Sequence, residues 1–353
     1  MSGQLPLFGE APPPGGGGGS SSIEPHVTGE DRAIAERVPP WIRFGTSSWS
    51  FPGWTGIVYE GRHTDDELAR TGLRAYAQHP LLRTVSVDRS FYGPLREGDV
   101  ASYAAQLDDA AALAPSLPPF RVLSKVWEEI TTAVFPKHPR YGARAGERNP
   151  AFLDAGRFLS EVLEPYRPHA RHFGPFVFAL TPMPKGAMDE QALADRVDAF
   201  LSEISRSAAP FQWAFELRNA ELETARWHDV LGNHGAAHVF TYWTAMPSIR
   251  AQLARHGPVR SRFVVARLML PPFMRYEDKK AQYAPFDRLV APQPDMRDDV
   301  IAVLRAAQEA DCTDAFILAN NKAEGSAPLT VKALAERAAR ELGPPSGDPM
   351  RTT

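Results

Sequence analysis

Glu216 and Arg218 stand two residues apart at the end of an apolar run, and Asp88, Lys125 and Arg267 close or nearly close other such runs. Glu216 and Asp88 are the carboxylates there suited to general acid or base work, and Lys125 suits acid, base or Schiff-base chemistry once its ammonium is desolvated. Arg218, Arg267, Asn320 and Asn321 add guanidinium forks and amide donors, which match the oxygens of a phosphate or carboxylate. With more donors than carboxylates, the set predicts an anionic ligand. The competing reading is a structural ion-pair layer, Glu216 with Arg218 or Arg267. Trp49 and Tyr92, with Trp54, offer either a stacking platform for a base or sugar or the packing of a rim.

These residues converge only if the runs that carry them are strands of one sheet. Short apolar, β-rich runs occupy 42–46, 84–88, 120–125, 176–180, 213–217, 238–242, 263–268 and 315–319, with longer segments of helical period between them. Leu193, Val197, Phe200, Leu201 and Ile204 share one helical face, as do Phe152, Ala155, Leu159, Val162 and Tyr166. Repeated strand–helix units of this kind predict an α/β fold, a (β/α)₈ TIM-type barrel, in which function gathers at the C-terminal strand ends. An open doubly wound sheet is the alternative, but no Gly-rich phosphate fingerprint follows the first strand. His238 begins its strand and should face away from the mouth.

The chain has 353 residues, 43% hydrophobic and 23% charged, with a net charge of −3, so any polyanion contact must come from a local patch. Cys312 is the only cysteine, which excludes an intrachain disulfide and a multi-cysteine zinc site. With His238 placed at the far end of its strand, the other histidines show no ligand-like spacing, so no structural metal is expected; a catalytic Mg²⁺ or Mn²⁺ stays open, and the sequence specifies no cofactor. With no long apolar run and no basic–apolar leader, a cytoplasmic protein away from membranes is expected. Pro/Gly/Ser-rich composition predicts a disordered tail over 1–40 and another over 343–353, leaving a single folded domain at 41–342.

The stretch Gly45-Thr46-Ser47-Ser48-Trp49-Ser50-Phe51-Pro52-Gly53-Trp54, followed by Tyr59, resembles the opening of the YecE-like family, catalogued as a domain of unknown function. Val87-Asp88-Arg89-Ser90-Phe91-Tyr92, Ser124-Lys125, Phe173-Gly174-Pro175, Phe215-Glu216-Leu217-Arg218, Val265-Ala266-Arg267 and Asn320-Asn321 follow in the family's order. The resemblance implies a TIM-type barrel and leaves the activity open. The chain departs from the pattern at Ser86, Trp127, Ala179, Asn219 and Met269-Leu270, where a glutamate, a proline, a glutamine, a histidine and a His-Gly pair are expected.

Two features point toward DNA. Lys137, Arg140, Arg144 and Arg148 lie in one Gly-containing loop after the third strand, a basic segment suited to a phosphate backbone; a balanced loop with Arg275, Lys279 and Lys280 against Glu277 and Asp278 follows the seventh. Gln4-Leu5-Pro6-Leu7-Phe8 resembles the peptide by which bacterial replication and repair proteins dock on the DNA sliding clamp. Anchors Gln4, Leu5, Leu7 and Phe8 on a flexible tether would raise the local concentration of the barrel at DNA. The leading expectation is a clamp-tethered barrel that binds phosphodiesters or phosphate. The alternatives are a small-molecule enzyme for an anionic, sugar-like substrate, hydrolase- or isomerase-like, and a non-catalytic clamp-associated module, which the departures favour.

Overall fold

A computed structural model describes residues 22–206, 210–271 and 281–343. The clamp-like residues Gln4, Leu5, Leu7 and Phe8, and Arg275, Glu277, Asp278, Lys279 and Lys280, lie outside the described residues. Eight strands, β1 (Ile42–Thr46), β2 (Thr84–Val87), β3 (Arg121–Lys125), β4 (Phe173–Ala179), β5 (Trp213–Glu216), β6 (Ala237–Tyr242), β7 (Phe263–Leu268) and β8 (Asp314–Ala319), form a closed barrel in chain order. Every neighbouring pair is parallel, and β8 closes on β1 from Ile42↔Ala315 to Thr46↔Ala319. The strands fall where the apolar runs predict them, because parallel strands buried on both faces need apolar residues at nearly every position.

One boundary moves. β4 begins at Phe173, upstream of the expected 176, and takes in Gly174 and Pro175. Proline lacks the ladder N–H, and the pairing with β3 shifts register between Val122 and Ser124 to accommodate the segment.

The outer layer is built from α1 (Gly29–Ala35), α2 (Asp65–Gln78), α3 (Glu97–Leu113), α4 (Glu190–Ile204), α5 (Ala225–Asn233), α6 (Ile249–His256), α7 (Pro294–Glu309) and α8 (Ala327–Glu341). Between β3 and β4 the connection runs through Ala155–Arg157, a π-helical Phe158–Leu163 and a 3₁₀ Glu164–His172. The apolar face read there is real: Phe152, Ala155, Val162 and Tyr166 are buried and Leu159 packs on the core. The α4 face is likewise buried in full.

Two apolar cores result. Leu123, Val177, Val239, Val265, Phe316 and Leu318 are among the side chains that fill the barrel's inside, and a larger cluster lies between strands and helices. This is the alternation of inward and outward side chains that barrel closure imposes.

The amino-terminal stretch differs from its compositional reading. From residue 22 onward it is ordered against the barrel: Ile23 and Ile34 are buried, and Pro25 bridges Tyr59. Thr28 and Asp31 form a capping box that starts α1. Lys332 of α8 then pairs with Glu30 and Asp31. The Pro/Gly/Ser bias that signals a tether ends before these residues, and a capping box satisfies the helix's first amides whatever precedes it.

Candidate functional site

Inward parity brings the ends of β2, β3, β5 and β7 onto one constellation. Glu216 and Arg218 share that parity, and Arg218 Nε donates to Glu216 Oε1 at 3.1 Å. Arg267 Nη1 donates to Glu216 Oε2, and its Nη2 donates to Asp88 at 3.2 and 3.3 Å. Arg267 thus clamps two carboxylates from the ends of strands that are not neighbours in the barrel, β5 and β2. Its side chain is 1% exposed and that of Glu216 0%, so this pair lies beneath the mouth, not on its rim. Burial pushes the Glu216 carboxyl up, but Arg267 and Arg218 beside it outweigh that and hold it at about 2. Asp88, 26% exposed, is the carboxylate that reaches solvent, and it accepts from Ser86 Oγ at 2.7 Å.

Lys125 ends β3 in a different situation. Its ammonium lies 3.7 Å from the centre of the Phe91 ring. Among the described residues it makes no hydrogen bond or ion pair. Burial drives its pKa down to about 7, with Asp88 and Glu216 opposing the shift and Arg218 and Arg267 adding to it. A lysine that titrates near neutrality can give and take a proton or add to a carbonyl carbon, which an ordinary lysine at pH 7 cannot do. Above it, the Arg218 guanidinium lies 4.6 Å from the Trp243 ring, and its Nη2 is buried without a partner.

The other expected site residues are dispersed. Trp49 is buried, donates its indole N–H to Leu68 O at 2.9 Å and packs edge-on against Tyr103. Asn320 caps the turn at Lys322, and Asn321 accepts from Trp54 Nε1 at 3.3 Å and from Ala327 N at 2.8 Å. Tyr92 stays on the rim, 38% exposed, with the Arg140 guanidinium 5.5 Å from its ring. The basic loop folds as a 3₁₀ segment, Pro139–Arg144. Arg140 pairs with Glu128, Arg144 with Glu129, and Arg148 donates to Ala187 O. Lys137 packs along Gly146.

Residues 43–351 match DUF72, a family described as a protein of unknown function. The chain belongs to the DUF72 family. A DUF72 family protein from Enterococcus faecalis V583 is 18% identical, with a TM-score of 0.54 over 87% of this chain and 100% of that one. Another from Thermotoga maritima MSB8 is 17% identical, with a TM-score of 0.50 over 85% and 98%. Both share the fold. No curated protein matches the chain.

The motif at the first strand is largely a clasp: Trp54 reaches across to Asn321 after β8, and Tyr59 donates to Trp49 O. Two residues that shape the mouth were not among the expected site residues, although Phe91 lies within a motif of the resemblance. Phe91 sits three positions past Asp88 in the 3₁₀ segment Asp88–Phe91, and Trp243 directly follows β6. Strand-end parity selects Lys125 and Arg218 but not the rings that face them. Among the described residues no helix is long and apolar enough to cross a membrane, and no cluster of three or more His, Cys, Asp or Glu is arranged to hold a metal ion.

Proposed function

We propose that the barrel mouth binds a small phosphate- or carboxylate-bearing molecule and that Lys125 exchanges a proton with it. The observation that carries this reading is the Lys125 ammonium: buried against the Phe91 ring and without a hydrogen-bond partner among the described residues, so that burial pushes its pKa down to about 7. The buried, unpaired Nη2 of Arg218 supplies a directional donor for the anion. Asp88, partly exposed on the other side of Arg267, supplies a carboxylate for the complementary proton transfer. Glu216 and Arg267 neutralise one another, so their role is to fix the positions of Arg218 and Asp88. Calorimetric titration of the full chain with ribose 5-phosphate and with inorganic phosphate tests the reading. Binding should fall about ten-fold or more in Arg218→Met, as a charge-assisted hydrogen bond is lost. Equal affinity in parent, Arg218→Met and Lys125→Met would reject it.

A second reading rests on Gln4-Leu5-Pro6-Leu7-Phe8, which supports a sliding clamp as partner and a phosphodiester as the anion. Lys137 and Arg148, which have no carboxylate partner among the described residues, are the loop cations best suited to the nucleic acid. Clamp should be recovered in a pull-down with the intact chain and not with a chain lacking residues 1–10. Recovery with both would sink the motif reading.

A further inference from the structure

A cavity lies at the opposite end of the barrel from this mouth. It holds about 460 Å³ below the amino-terminal ends of β1 and β2, between α1, the end of α2 and the segment that joins α3 to β3. Its volume falls in the range of roughly 300–1,000 Å³ typical of small-molecule sites. Ile42, Phe44, Leu81 and Leu117 contribute apolar wall, and the one buried charge that lines it is Arg83.

Arg83 is held by neutral groups alone. Nη1 donates to Ala77 O at 2.9 Å and Nη2 to Pro118 O, both neutral carbonyls, while Nε is buried with no partner. Among the described residues no carboxylate lies within ion-pair distance of it, whereas the buried Arg267 has two. Burial pushes its pKa down to about 9, and the like charge of Arg43 adds to the shift. A buried guanidinium that meets only neutral acceptors keeps its charge uncompensated, which an anion would relieve. At the open rim Arg32 and Glu36 offset each other, leaving Arg83 as the net charge that a ligand entering the cavity would meet.

From these contacts we infer that the basal cavity is a second binding site, for a monocarboxylate with a short apolar body. The carboxylate meets the Arg83 guanidinium, and the apolar body lies along Ile42, Phe44, Leu81 and Leu117. The site is separate from the mouth and stands whether or not Lys125 handles a proton.

The test is calorimetric titration of the full chain with octanoate, octylammonium and octanol. Octanoate should bind at one site per chain, with octanol weaker by about ten-fold or more for want of the charge-assisted contact, and octylammonium silent. Arg83 also ties two carbonyls, so Arg83→Met alone would confound binding with folding. Leu117→Trp, which fills the cavity and leaves Arg83 in place, should abolish octanoate binding in a chain whose thermal midpoint shows it folded. Arg218→Met, at the mouth, should leave it unchanged. Octanoate affinity that survives Leu117→Trp, or that is lost in Arg218→Met, would overturn the proposal. So would octanoate binding that appears only after residues 344–353 are removed, since the occupant would then be the chain's own carboxyl-terminal segment.

Discussion

At the scale of single residues, the ends of the strands divide into a buried layer that holds itself together and two side chains left facing the ligand space. Arg267 closes its strand at the mouth end, yet it is enclosed with Glu216, their side chains 1% and 0% exposed. Arg267→Met should therefore destabilise the protein by about 3–5 kcal/mol, the cost of stranding a buried carboxylate, whereas Arg218→Met should cost clearly less. Denaturant unfolding of the two variants measures the difference, and equal losses would mean that the layer is not organised around Arg267. Parity along a strand was readable, since it gives Glu216 and Arg218 one direction. Partner choice was not: the carboxylates that Arg267 meets come from β5 and from just after β2, far apart in sequence.

At the scale of elements, the eight strands were legible from apolar runs, but the purpose of the first motif was not. Gly53 lies against the backbone of Pro285, and a Cβ there would stand 1.8 Å from Pro285 O. Gly45 meets Thr84 O equally closely, where β1 pairs with β2. These glycines are sites of close backbone approach, not of special dihedral angles. Gly53→Ala should lower stability by on the order of 2 kcal/mol by forcing the loop after β1 away from Pro285. An unchanged unfolding midpoint would show that the two segments separate freely. The ordered stretch from Ile23 to α1 was missed because composition averages over a window, while a capping box acts through Thr28 and Asp31 alone.

At the scale of the whole molecule, the titration of buried histidines sets the acid limit. Burial drives His79 and His256 down to about 4 and His238 well below its ordinary 6.5. Trp227 Nε1 donates to His238 Nδ1, which leaves the proton of the neutral ring on Nε2, 3.5 Å from Glu223. In the unfolded chain these rings protonate at about 6.5, so below that pH the unfolded state binds more protons and stability falls with pH. The thermal midpoint should drop steadily from about pH 6.5 to 4, with Glu216 still ionised throughout, and replacing His79 by glutamine should flatten the drop. A midpoint independent of pH across that window would mean the rings are solvated. Barrel closure has a temporal side as well. β8 is the partner of β1, and the Lys332 that ties down Glu30 stands 302 residues beyond it. On the ribosome, the first strand and its helix must therefore wait with an open edge until nearly the whole chain has emerged, so the nascent barrel depends on protection from chaperones or on rapid completion of the last unit.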